Sequence, residues 1–470
     1  MDRETSLSNT IYRLPHDVLA IIFHFFAYSY TPERHRIWHK DIEDAEYEYE
    51  MAHARHRPPW NLGKVCRTWR TSVLSLPHLW TNFDFKTCMP YDYLVYTGDT
   101  EMLSAQLERC NGQPIHLRLG ALPEDADSSI SYNILSAVLT TSTRVASLSL
   151  IPESSMFDCL ESYFMARPFP DLQEINLDVN DRLKPFVASR LAPNLRTLNV
   201  WGADPELLEA PWGHITRYTS RDSKTYYVEN HFHYYILPRL ENLQTCWLDC
   251  VVLNNNQRTG ALSPPIILPY LHTLILSSAA PIGSDRYAAP GITQLFDSIT
   301  LPALDTLKFW NSTRQSSQSL IQFICRSGCS LRELTIYRIL LEDEDDVFNL
   351  VTSGLLKYLK SLSLGLGLDL SPRGVSVLDA LARDPTGPKD YLPQLRCFET
   401  DCWDTRPEEL ADIVRSRRSS DGNGQILERL ILQDRATVAE YSRSGVMSSF
   451  EELRVGGLIV EWKLRRFRGL

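Results

Sequence analysis

The sequence predicts an α/β chain: a small N-terminal helical unit, then a long solenoid of short parallel strands joined by helical or irregular return segments. Three observations carry this. Two apolar stripes at helical spacing fall within the first eighty residues, over Leu14–Phe26 and Leu62–Val73. A Pro-x-Leu-x-x-(Leu/Ile/Phe) motif then recurs at Pro170, Pro193, Pro238, Pro269, Pro302 and Pro393. Its gaps of 23, 45, 31, 33 and 91 residues read as one, two, one, one and three copies of a single unit.

In the first segment, LPHDVLAIIFHFF, Leu14, Val18 and Ile22 stack one above another, with Leu19, Phe23 and Phe26 beside them. Pro15 suits a first helical turn, where its missing N–H has no partner to lose, and Asp17 suits the positive end of the helix. The second segment, LGKVCRTWRTSV, places Leu62, Val65, Cys66, Trp69 and Val73 on one face of a helix, away from Lys64, Arg67 and Arg70. Leu76-Pro77 ends it, and Leu79, Trp80 and Phe83 resume an apolar pattern. Between the two segments, residues 28–59 form a charged insertion in which acidic DIEDAEYEYE is flanked by basic RHRIWHK and HARHR. It reads as an exposed helix braced by i, i+4 charge pairs or as a mobile stretch. Two helices this short cannot bury both apolar faces against each other, so the remainder requires the rest of the chain or a partner's groove.

The strand motif continues without proline in SLRELTI from Ser330, YLKSLSL from Tyr358, ILERLIL from Ile426 and FEELRV from Phe450. VASLSL from Val145 and IHLRL from Ile115 precede it. Alternation within each copy buries the leucines and turns the residues between them outward. Gln318–Arg326, Val375–Arg383 and Glu408–Arg418 have helical spacing and are expected on the opposite, convex side. Trp201, Trp310 and Tyr337 occupy outward positions, where large aromatics favour partner binding, so they are the candidate target-binding residues. Around Leu243 the register is ambiguous, which leaves Trp247 unassigned. The acidic run Glu342–Asp346 reads as a solvated loop, and WKLRRFRGL at the C-terminus as an amphipathic cap on the last repeat. A set of conventional α/β domains with long loops is the other fold compatible with these patterns.

Leu14-Pro15-x-x-x-Leu19-x-x-Ile22-Phe23, then Val65-Cys66-x-x-Trp69-Arg70 and Leu76-Pro77-x-Leu79-Trp80, resembles the F-box motif in the form common among fungal F-box proteins. The resemblance covers about a seventh of the chain, and the insertion at 28–59 departs from the usual compact form. It implies a helical domain over 10–85 that docks on a Skp-type adaptor and through it on a cullin-RING ubiquitin ligase. Leu14, Pro15, Leu19, Ile22 and Phe23 would enter the adaptor's groove, and Val65, Cys66 and Trp69 would complete the contact. The repeats over 100–470 are similar to irregular leucine-rich repeats, whose concave sheet would bind the target protein. The expectation is therefore a substrate-recognition subunit of an SCF-type ligase. The alternative is a non-ligase leucine-rich-repeat scaffold whose N-terminal helices only cap the solenoid.

The bulk composition fits this class. The 470 residues carry 48 Lys and Arg against 58 Asp and Glu, a net charge of −10, which is not the footprint of a nucleic-acid binder. MDRETSLSNT lacks the apolar core of a signal peptide, and no apolar run has the length of a membrane span. A cytoplasmic or nuclear protein with reduced cysteines is expected. The pairs Cys246/Cys250 and Cys325/Cys329, like His231/His233 and His35/His39 with His53/His56, lack the four-ligand spacing of a zinc site. There is no Gly-x-x-x-x-Gly-Lys-(Ser/Thr), no Gly-x-Ser-x-Gly and no His-Glu-x-x-His, and Cys66 lies in an apolar stripe without a spaced His partner. No enzyme activity, cofactor or metal is expected.

Overall fold

The computed structural model describes residues 14–29, 59–85, 87–88, 93–94, 100–119, 144–150, 168–178, 186–201, 208–221, 235–249, 265–277, 289–312, 314–339, 344–366, 375–382, 391–400, 407–418, 426–434 and 453–464. They form two compact units, divided between Pro211 and Trp212. Most of the insertion at 28–59 lies outside the described residues, as do His35, His39, His53, His56, His231, His233 and Cys250.

The first unit opens with helices α1 (His16–Ser29) and α2 (Arg67–Leu74) and a tight helical turn at Pro77–Trp80. Five strands follow: β1 (Asn82–Phe85), β2 (Ile115–Leu119), β3 (Val145–Leu150), β4 (Glu174–Asp178) and β5 (Thr197–Trp201), with α3 (Thr100–Arg109) between β1 and β2. They pair in chain order and all parallel. Their register stacks Phe83, Leu117, Leu148, Ile175 and Leu198 into one buried row.

Nine strands build the sheet of the second unit: β6 (Arg217–Arg221), β7 (Thr245–Asp249), β8 (Thr273–Ser277), β9 (Thr306–Ser312), β10 (Glu333–Ile339), β11 (Ser361–Leu366), β12 (Cys397–Thr400), β13 (Arg429–Asp434) and β14 (Ile459–Leu464). They too are parallel and in chain order. Helices α4 (Ala289–Ser298), α5 (Arg314–Ser327), α6 (Glu344–Thr352), α7 (Val375–Leu381) and α8 (Pro407–Arg418) return the chain between strands, each packing on the next. Phe296 of α4 meets Phe309 of β9 edge-on at 6.0 Å and stacks on Phe323 of α5 at 5.2 Å, so helices and sheet share one core.

The recurrent proline has a geometric cause. Leu172, Leu195, Leu271, Leu304 and Leu395 each donate an N–H to the carbonyl three residues back, closing a turn whose second residue is proline in every case. Proline fixes φ at that place, and the leucine that closes the turn is buried. The strand starts two residues later, and the residue just before it offers one carbonyl to two successive N–H groups, those of the first residue of the next strand and of the residue before it. His272 accepts from Asp305 and Thr306, Asp305 from Arg332 and Glu333, and Arg332 from Lys360 and Ser361.

The same turns settle the register near Leu243. Two turns follow each other there, Leu237–Leu240 and Leu240–Leu243, and Pro238 belongs to the first. The motif at Pro238 is thus three residues out of phase, and Trp247 takes the middle outward position of β7. Three other expectations are corrected. Leu453–Val455, within FEELRV, is helical and the strand is Ile459–Leu464, which takes in Trp462–Leu464 of the expected cap. Glu344–Asp346 form the first turn of α6 rather than a loop. The segment Leu62–Val73 is not one helix, because Cys66 is extended at φ −159°, ψ 174° and separates a short turn at Leu62–Lys64 from α2. Among the described residues no helix is long and apolar enough to cross a membrane.

Candidate functional site

The first site is the helical segment. Leu19 and Phe23, one turn apart on α1, are buried, and Phe23 meets the Trp69 ring edge-on at 4.8 Å. Val73 completes this inner layer from α2. Cys66 caps α2: its sulfur accepts the Trp69 N–H at 3.4 Å, satisfying a donor that the first turn otherwise leaves open. Arg70 Nε donates to Gly63 O at 2.9 Å and ties α2 to the preceding turn.

The opposite face of α1 is apolar too. Ile21 and Phe25 are 69% and 73% exposed, Ile22 is 41% exposed, and Val18 and Phe26 belong to the same exposed set. Val65, 54% exposed, stands in the turn before Cys66. Lys64, Arg67 and Arg70 are exposed around it. Of the residues expected to dock, Leu14, Cys66 and Trp69 are half-buried, Pro15, Ile22 and Val65 are exposed, and Leu19 and Phe23 are inside. The stripe read as Leu14, Val18, Ile22 with Leu19, Phe23 and Phe26 is therefore split between two surfaces. Ile21 and Phe25 are the residues that periodicity missed. The signal for them is the nearly unbroken apolar run LAIIFHFF, which marks a helix covered on more than one side.

The segment is fastened to the first strands through Trp80. Its Nε1–H donates to Val73 O at 3.0 Å, and its carbonyl accepts from Gln106 Nε2 at 3.0 Å and from the Cys110 thiol at 3.1 Å. Trp60 meets Trp80 edge-on at 4.9 Å, and the Arg109 guanidinium lies 4.7 and 4.5 Å from their two ring centres. Burial pushes the Cys110 and Cys329 thiols up to about 11, so neither is a thiolate nucleophile at neutral pH. Among the described residues no group of three His, Cys, Asp or Glu side chains is arranged to hold a metal ion.

Histidines line the joint between α1 and the Pro77–Trp80 turn. His16 Nε2 is 3.1 Å from Ser75 Oγ, whose own proton goes to Ser72 O, so the imidazole is the donor. The His24 and His78 rings lie 5.7 Å apart. Burial, and then the neighbouring His24, hold the His78 imidazole below its ordinary value of 6.5. The unfolded chain thus takes up a proton at this residue before the folded one does, and stability falls as pH drops through 6.5 towards the folded value. Urea midpoints measured from about pH 7.5 to about pH 5 should decline, and His78→Asn should flatten the decline. An unchanged slope in that variant would remove His78 from the account.

The second site is the outward face of the strands. In the first unit it carries a polar ladder: Asn199 Nδ2 donates to Asn176 Oδ1 at 2.6 Å, and Asn176 Nδ2 donates to Ser149 Oγ at 3.0 Å and Glu174 Oε1 at 3.2 Å. Trp201, half-buried, is the next outward residue after Asn199 on β5. In the second unit Trp310 and Tyr337 are direct partners across β9 and β10, at the strand position equivalent to Trp201, and their side chains lie outside the described residues. The outward residues there are more enclosed than alternation predicts. Thr335, Ser363, Ile431 and Gln433 are buried, while Trp247 is half-buried and donates its Nε1–H to Ser277 Oγ at 3.1 Å. Ion pairs Lys308–Glu333 at 3.7 Å and Arg429–Glu461 at 2.6 Å cross between neighbouring strands.

No protein-family model matches the chain, and no curated protein matches it either.

Proposed function

We propose that this chain is the substrate-recognition subunit of an SCF-type (cullin-RING) ubiquitin ligase. In this reading the N-terminal helices are an F-box that docks on a Skp-type adaptor, and the strands that follow are leucine-rich repeats that select the target protein. The observation that carries it is the apolar face of α1, exposed through Ile21, Ile22 and Phe25 on a helix whose inner residues Leu19 and Phe23 are already buried. A helix apolar on both sides calls for a second partner, and a groove that accepts a helix supplies one. The mechanism is proximity: holding the target beside a ubiquitin-charged enzyme raises its effective concentration, and the chain itself contributes no reacting group.

A second reading is a repeat scaffold whose helices only cap the first strands. The clamp on Trp80 by Gln106, Cys110 and Arg109 favours it, since that is what a cap requires.

Co-expression separates the two. With a Skp-type adaptor the full chain should elute as one stable complex. Leu14→Ala with Pro15→Ala and Trp69→Ser should abolish that complex. Adaptor binding that survives these changes sinks the docking assignment.

A further inference from the structure

The polar ladder on the first unit has a fixed polarity. A carboxylate only accepts hydrogen bonds, so the Asn176 atom facing Glu174 Oε1 is the amide nitrogen. Asn176 therefore presents its oxygen to the neighbouring strand, and the Asn199 atom that meets it at 2.6 Å is a nitrogen as well. One N–H of Asn199 is spent in this way. Its second N–H and its Oδ1 bond to no described residue, and the side chain is half-buried. Asn176 and Asn199 are direct partners in the β4–β5 register, and Trp201 follows on the same outward face of β5.

From this geometry we infer that the outward face around Asn199 binds an extended, unpaired polypeptide segment through its main chain. A free carboxamide edge offers one donor and one acceptor side by side. A residue of a β-extended chain offers the complement, its own N–H and C=O pointing to the same side. Trp201 lies about 6.6 Å further along the strand, where it supplies apolar surface for a neighbouring side chain of the bound segment. Glu174, two residues before Asn176 on β4, supplies a carboxylate for a basic one. A folded surface presents few unpaired main-chain groups, because its own secondary structure consumes them. The inference rests on the reading that this face selects the target, and it names the form the target takes: an unstructured stretch, not a folded domain.

The test uses the full chain and a phage-displayed library of linear peptides. Linear clones should be enriched, and a synthetic peptide from the best clone should bind about tenfold or more weakly to Asn199→Leu, and to Asn199→Ser if the leucine variant does not fold. Trp201→Ala should weaken it similarly. Replacing one backbone amide of the peptide by an ester should reproduce the loss at a single position. Failure to enrich linear clones, or binding indifferent to residue 199, overturns the inference. Adaptor capture is measured on the same preparations. If capture holds while peptide binding fails, only this inference falls; if capture fails while peptide binding depends on Asn199, only the ligase reading falls.

Discussion

Replacing Ile22 and Val65 together by glutamate should abolish the proposed capture of a Skp-type adaptor and leave the fold intact. Both side chains are exposed in the free chain, so two new carboxylates there remain hydrated and cost less than about 0.5 kcal/mol each. In an apolar groove the same carboxylates would be stripped of water without partners, at a cost of several kcal/mol each. The expected loss of affinity is at least about a hundredfold, read by titration of labelled adaptor or by co-purification. Phe23→Ala is the contrasting variant. Phe23 is fully buried on Trp69, so its truncation should cost about 3–5 kcal/mol of stability, and any loss of adaptor would follow from unfolding of the segment. An Ile22/Val65 double variant that still captures the adaptor at wild-type strength would leave the exposed face of α1 without its assigned partner.

Why the sequence located this segment yet misplaced its surfaces is instructive. Hydrophobic periodicity finds a helix well when one face is polar. In LAIIFHFF almost every position is apolar, and the pattern holds no mark of which side meets Trp69 and which meets solvent. The phase of α2 was hidden for a different reason. Cys66 sits between Val65 and Arg67 as if inside a helix, but its thiol serves the chain better as a cap, and that shifts Val65 into a turn.

The strands were more legible because each is preceded by a turn with its own chemistry. Proline at the second turn position and leucine at the fourth mark five of these turns, and there they fix the register of β4, β5, β8, β9 and β12. β6 escaped notice because its inward residues are Tyr218 and Ser220 in place of two leucines. Tyr218 is wholly buried, and burial pushes its pKa up against the opposing effect of a hydrogen bond with Ser220. The polar ladder on Ser149, Asn176 and Asn199 was invisible for a further reason. Nothing in one repeat says which residue of the next will lie opposite it until the register is known.

Replacing Arg417 by methionine should destabilise the chain by about 3–5 kcal/mol, the second large effect, whereas Arg415→Met, two residues away on α8, should change stability by less than about 0.5 kcal/mol. Arg415 is exposed and pairs with Asp412 at the surface, where solvent screens the attraction. Arg417 is buried: its Nε donates to Leu381 O and its Nη1 to Leu392 O at 2.9 Å. Leu381 is the last residue of α7, so the guanidinium satisfies a carbonyl that the helix end leaves open and places positive charge at the negative end of the dipole. Arg326 of α5 does the same for α4, donating to Phe296 O and to Ile299 O at 2.9 Å. Each arginine thereby couples its own return helix to the one before. Methionine keeps much of the stem's packing but leaves Leu381 O without its donor and Leu392 O with the Leu395 N–H alone, so the loss reports hydrogen bonding and charge rather than volume. Equilibrium urea unfolding of Arg417→Met and Arg417→Lys measures it. Lysine keeps the charge but not the planar fork that reaches both carbonyls, and should fall between wild type and methionine. A methionine variant within 1 kcal/mol of wild type would mean, on the usual scale of such bonds, that Leu381 O finds another donor. In that case strand pairing and core packing alone would hold successive strands in line, and the arginines would be dispensable to the alignment of their outward face.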